Sequence, residues 1–109
     1  MIRRLLADAD LNLAIVAGVV RRVEGLLDSA VLAVAAQEQR VLVSHDASTM
    51  PRHLREFVRE RISPGVIPIP RGLSVGKAIE SLLLICDGCG PQDLENRVCL
   101  APSLAMYGF

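Results

Sequence analysis

The fold class predicted for this chain is α/β, with a short central parallel sheet flanked by helices, and three observations predict it. Two apolar runs, Leu5-Leu6-Ala7 and Val41-Leu42-Val43, are each followed by acids: Asp8 and Asp10 after the first, Asp46 after the second. The first run is apolar enough to be covered on both faces, as a buried parallel strand is. Helical signals between the runs give the order β-α-α-β-α-β-α-β, which argues for parallel strands with helices on their faces. In open sheets of this kind ligands bind outside the carboxyl ends of the strands.

Composition sets the outer bounds. A length of 109 residues supports one domain with a single core, expected over residues 1–102 with residues 103–109 as a C-terminal tail. The hydrophobic share is 51% and the aromatic share only 3%, so the core is aliphatic. Twelve basic and twelve acidic residues cancel, so only a local patch can attract nucleic acid. Lys77 is the sole lysine, and arginine suits bidentate contact with phosphate or carboxylate. No apolar run reaches the ~18 residues of a membrane span, and Asp8 and Asp10 interrupt the stretch that a signal peptide would need. Three cysteines, an odd number, fit a reducing cytoplasm, and no membrane partner is expected.

The elements follow from local signals. A first strand is expected over 2–7. Asp10 stands where a helix N-cap belongs, and Leu11, Ile15, Val19 and Val23 recur behind it at helical spacing. Arg21 and Arg22 complement the dipole at that helix's end, with Gly25 as its C-cap. Asp28 or Ser29 caps a second helix reaching Gln39, and a strand is expected over 41–44. Thr49, before Pro51, offers a capping hydroxyl for a third helix to about Arg61, with Leu54, Phe57, Val58 and Ile62 on its apolar face. Ser63-Pro64-Gly65 is a turn. The strand over 66–69 is demoted toward an edge or an irregular end by Pro68. Ser74 caps a fourth helix whose core face uses Val75, Ile79, Leu82, Leu83 and Cys86. A last strand over 96–100 stops at Ala101-Pro102.

Four acids stand at element starts and ends: Asp8, Asp10, Asp28 and Asp46. Carboxylates gathered at one edge need a counter-charge. A hard divalent cation with oxygen ligands, Mg²⁺ or Mn²⁺, supplies it. A structural role stands beside this for three of them, Asp10 and Asp28 as helix caps and Asp46 as an Asx-turn residue; Asp8, among apolar neighbours at a strand end, has none as ready. Arg52, Arg55 and Arg59 share one helical face and suit a phosphate backbone, although the segment 51–62 nets only +2 and Arg52/Glu56 pairing explains the row as well. His45 and His53 have a ligand or general-base role as one reading and a structural role as the favoured one. Ser44-His45-Asp46 is no hydrolase triad, since neighbours on a strand point to opposite faces. Cys86-x-x-Cys89 lacks a second ligand pair and reads as structural.

The order Leu5-Leu6-Ala7-Asp8, Asp28 opening an Ala/Leu-rich helix, then Val41-Leu42-Val43-Ser44-His45-Asp46 resembles the PIN-like (PilT N-terminal-like) nuclease superfamily. The match is nearest to a small bacterial branch of unassigned function related to toxin–antitoxin ribonucleases. Thr49-Met50-Pro51-Arg52-His53, the turn at Ser63-Pro64-Gly65-Val66 and Ala78-Ile79-Glu80 extend the resemblance over most of residues 2–100. It implies a three-layer fold with about four strands in this shortened chain, and a metal-dependent endoribonuclease site. Catalytic and metal-holding roles fall on Asp8, Asp28 and Asp46, with Asp10 as a further metal ligand and Arg52, Arg55 and Arg59 on substrate. The implied partners are RNA and an antitoxin protein.

Two departures stand out. Ser48 and Thr49 occupy positions where relatives carry a further acid, and only Val23-Glu24-Gly25-Leu26-Leu27 separates Arg22 from Asp28 where relatives have another strand. The missing strand would expose the edge of the first strand to a second copy or another protein. A non-catalytic, shortened module acting through oligomerisation or partner binding is therefore the alternative to the nuclease. A phosphoacceptor receiver domain is a third class; Lys77, at a helix start, is poorly placed for it.

Overall fold

The computed structural model describes residues 5–7, 21–22 and 28–109. Among these the strands are β1 (Leu5–Ala7), β2 (Arg21–Arg22), β3 (Val41–Ser44), β4 (Val66–Pro68), β5 (Arg97–Cys99) and β6 (Met106–Gly108). The helices are α1 (Asp28–Glu38), α2 (Met50–Phe57), α3 (Val75–Gly88) and the short α4 (Pro91–Leu94). The strands form one sheet in the order β2-β1-β3-β4-β5-β6, parallel from β2 to β5, with β6 antiparallel at its end. The α/β class with a mostly parallel sheet is as the sequence predicts.

Residue alternation along the strands divides the interior in two. Val41, Val43, Ile67, Ile69 and Cys99 meet Ala78, Leu82 and Ile85 of α3 and Leu94 of α4. Leu42, Val66 and Val98 point the other way, onto Val31, Leu32 and Ala35 of α1 and Met50 and Leu54 of α2. Side chains on successive strand residues face opposite sides, so each helical pair covers one face. Both clusters are aliphatic, apart from a half-buried Phe57 beside the second.

Several boundaries differ from expectation, each for a physical reason. Arg21 and Arg22 form β2 beside β1, with Leu6 opposite Arg21, instead of ending the first helix. That helix otherwise lies outside the described residues. β1 is therefore an inner strand, flanked by β2 and β3, and is not the exposed edge. The third helix stops at Phe57, leaving Ile62 66% exposed. On α3 the buried stripe is Ala78, Ser81, Leu82 and Ile85, while Leu83 is 59% exposed. Ala78 and Ser81 are small, and the Ser81 hydroxyl is satisfied within the helix by donating to the Lys77 carbonyl at 2.8 Å. Pro68 ends an inner strand. Its carbonyl accepts from Ala101 N–H on the β5 side at 3.3 Å, so its missing N–H thins only that ladder. The segment 103–109, expected as a tail, contributes β6.

Three local devices hold the frame. α1 ends in a left-handed Gln39 (φ 55°), with Gln39 N–H on Ala36 O and Arg40 N–H on Ala35 O, a Schellman arrangement that turns the chain into β3. Ser74 caps α3, accepting from Lys77 N–H at 3.2 Å, as its place in the sequence predicts. The loops entering β4 and β5 grip each other: Ser63 N–H donates to Asn96 Oδ1 (2.8 Å) and Asn96 N–H to Ser63 O (2.9 Å). Gly65 completes that corner at φ 117°, where a Cβ would collide with the Leu94 carbonyl oxygen. Gly65→Ala is expected to cost about 1–3 kcal/mol of stability from backbone strain and this clash, read as a lower urea midpoint with an unchanged m-value.

Candidate functional site

The parallel strands run in the order 2-1-3-4-5, and the order reverses between β1 and β3. A doubly wound sheet opens a crevice at such a reversal, outside the carboxyl ends of the two strands. Here Ala7 pairs with Val43, so the last residue of β1 lies beside the third residue of β3. α1 packs against β3 and ends two residues before it begins, so the helix runs back along the strand. Its first residue, Asp28, therefore lies toward the same carboxyl edge. Asp8 and Asp10 lie outside the described residues.

Asp46 is the site residue whose surroundings are described most fully. Ser44, fully buried at the end of β3, accepts the Asp46 N–H on its Oγ at 2.9 Å. The Asp46 carboxylate then turns toward the start of α2. Oδ1 accepts N–H from Ser48 (3.1 Å) and Thr49 (2.7 Å), and Oδ2 accepts the Thr49 hydroxyl. The Ser48 hydroxyl lies 3.4 Å from Oδ1. Thr49, the N-cap residue by position, makes no capping bond with its own side chain. Asp46 supplies the acceptor instead, and its negative charge faces the positive end of the helix dipole.

These contacts fix its ionisation. Partial burial pushes the Asp46 carboxyl upward, but the Thr49 hydroxyl and the N–H groups of Thr49, Ser48 and Met50 outweigh it and hold the group below the ordinary carboxylate value. Ser48 and Thr49, standing where the family resemblance leads one to look for an acid, thus serve the acid that is present.

His45 is pinned as well. Its Nδ1 is 2.8 Å from the carbonyl of Ile69, just past β4. A carbonyl only accepts, so Nδ1 carries the proton and donates it. The histidine ties the carboxyl ends of β3 and β4 together, the structural one of its two readings. Ile69 N–H on Ser44 O at 2.7 Å does the same through the backbone.

The arginine row is shorter than its spacing implies. Arg52 and Arg55 are exposed on α2, but Arg59 lies beyond the helix end and pairs with Glu56 at 3.3 Å. Arg61, not singled out by spacing, stacks over Phe57 with its guanidinium carbon 5.1 Å from the ring centre. Lys77 pairs with Glu80 at 3.6 Å on α3. Cys86, Cys89 and Cys99 lie in or against the first core cluster.

Lone-pair counting tests whether this edge suits a hard cation. Five donors meet the Asp46 carboxylate: the backbone N–H groups of Ser48, Thr49 and Met50 and the hydroxyls of Ser48 and Thr49, enough to occupy its lone pairs. A hard cation at Asp46 would have to share or displace a donor of the residue's own loop. Among the described residues no group of three or more His, Cys, Asp and Glu is arranged to hold an ion. No helix among the described residues is long and apolar enough to cross a membrane. No family model, curated protein or solved structure matches the chain.

The sign of the Asp46 shift gives a direct expectation. A carboxyl held lower in the folded than in the unfolded chain stabilises the fold fully above its unfolded value, and that stabilisation drains as pH falls through its native value. Asp46→Asn keeps an acceptor but no charge, so its acid unfolding limb should be shallower than wild type in urea titrations at stepped pH. Asp46→Ala removes the cap and should cost about 0.5–2 kcal/mol at neutral pH.

Proposed function

We propose that this chain is a shortened, three-layer PIN-like domain acting as a metal-dependent endoribonuclease, the toxin-type half of a toxin–antitoxin pair in the cytoplasm. The observation that carries this reading is the Ala7–Val43 register at the point of strand reversal. It sets side by side the carboxyl ends of the two strands whose following residues include Asp8 and Asp46. Asp46 is held ionised, and α1 begins at Asp28 toward that edge.

In this reading Asp8, Asp28 and Asp46, with Asp10 in reserve, hold Mg²⁺ or Mn²⁺. When bound, the ion lowers the pKa of water and offsets charge building on a phosphodiester. The chain's own residues orient and neutralise. Asp46, fixed by Ser48 and Thr49, shares an oxygen with the ion. Arg52 and Arg55, exposed on the helix that Asp46 caps, contact the phosphates of the incoming strand.

Cleavage of a single-stranded RNA should require added Mn²⁺ or Mg²⁺, stop with EDTA, and disappear in Asp8→Asn while the fold is retained by circular dichroism. Cleavage that survives EDTA sinks the mechanism. One observation favours a second, non-catalytic reading: the Asp46 carboxylate is satisfied by donors of its own loop and caps α2 without any metal. Metal titration separates the two. A rise in thermal midpoint with Mn²⁺ that Asp8→Asn abolishes supports the nuclease; an unchanged midpoint in both supports the binding module.

A further inference from the structure

The two edges of the sheet differ in a way that bears on assembly. One is β2, two residues long and made of two arginines. Shortness and charge are common protections of an edge against pairing with another chain. The other is β6. The segment 104–109, Leu-Ala-Met-Tyr-Gly-Phe, has no ionised side chain and no proline. Met106, Tyr107 and Phe109 are 39%, 40% and 55% exposed, and the two rings meet edge to face at 5.8 Å.

Ladder geometry identifies the unused backbone groups. Leu100 N–H donates to Ala105 O at 2.8 Å, and Val98 stands opposite Tyr107. Ala105 and, by alternation, Tyr107 therefore turn their backbone groups toward β5. Met106 and Gly108 turn theirs outward, away from the sheet.

We propose that β6 is a self-association edge, on which β6 of a second copy pairs antiparallel about a two-fold axis at Tyr107. In this register Met106 of each copy faces Gly108 of the other. The two pairs exchange four backbone hydrogen bonds from the outward groups. A slip of two residues in either direction leaves a single such pair within β6. Side chains agree with the register: Met106 stands opposite a glycine, and Phe109 opposite Ala105. Within β6 itself the pairing brings no ionised side chains together; the nearest is Arg97 of β5, whose side chain lies over Gly108. A self-complementary register of this kind is what an isologous interface needs, which singles out a second copy over a foreign strand. The aromatic and methionine surface to be covered is on the order of a few hundred Å², well under the ~1,600 Å² of a standard stable interface. The dimer is therefore weak and fills with concentration. It is independent of the metal site.

Sedimentation velocity over a hundredfold range of concentration tests this. The weight-average mass of the wild type should climb from the monomer toward twice that value. Met106→Pro removes only an outward N–H and should stay monomeric with an unchanged thermal midpoint. Amide exchange on the unaltered protein gives a reading that does not depend on the variant folding. The Met106 and Gly108 amides should slow severalfold at high concentration, while the Tyr107 amide stays constant. A wild-type mass that does not rise overturns the proposal, as does a rise that a folded Met106→Pro variant reproduces. Met106 and Gly108 amides that are insensitive to concentration, or that slow only when an unrelated extended peptide is added, also overturn it.

Discussion

At the carboxyl end of β3, a short run of hydrogen bonds joins the sheet, a helix and the candidate site into one unit. Ser44 gives its carbonyl to Ile69 N–H and its hydroxyl oxygen to Asp46 N–H. His45 reaches across to the Ile69 carbonyl, and Asp46 closes the start of α2. Each bond contributes only about 1 kcal/mol net, but they are arranged in series around buried residues. Ser44, Ile69 and Met50 are all fully enclosed, so loosening one bond loosens apolar packing on both faces of the sheet. Strands of three and four residues cannot hold their ends by ladder bonds alone. The knot after β3 holds that strand end to β4 and to the start of α2.

That knot was only half legible in the residues. An acid after an apolar run is a clear signal, and an Asx turn was one of its two readings. The identity of the helix cap was not readable, because Thr49 has the better sequence position and Asp46 the better reach. Elsewhere, local chemistry told most where geometry leaves little choice. The Ser74 cap, the Gly65 corner and the strand over 41–44 are short-range features with few alternatives. Misreadings came where two mechanisms share one pattern. Arg21 and Arg22 suit a helix end as well as a charged edge strand. The buried stripe of α3 uses Ala78 and Ser81, which hydrophobic periodicity passes over in favour of Leu83. β6 gives almost no signal, since an exposed three-residue strand has no alternation to read.

The two edges and the crevice divide the surface by chemistry. Asp46 stands near the order reversal, and uncharged apolar side chains mark the β6 end. At Asp46 the carboxylate serves the start of α2, and a cation would have to share oxygens that already accept from Ser48 and Thr49.

The chain has one tyrosine and no tryptophan, and that tyrosine is Tyr107 on β6. The aliphatic cores on either face of the sheet are therefore optically silent. Intrinsic fluorescence of this protein comes from the outermost strand, with Phe109 against its ring, and not from the packed interior. An emission change on heating or on adding denaturant would report first on the local environment of that edge. It would track global unfolding only to the extent that β6 lets go together with the rest of the sheet.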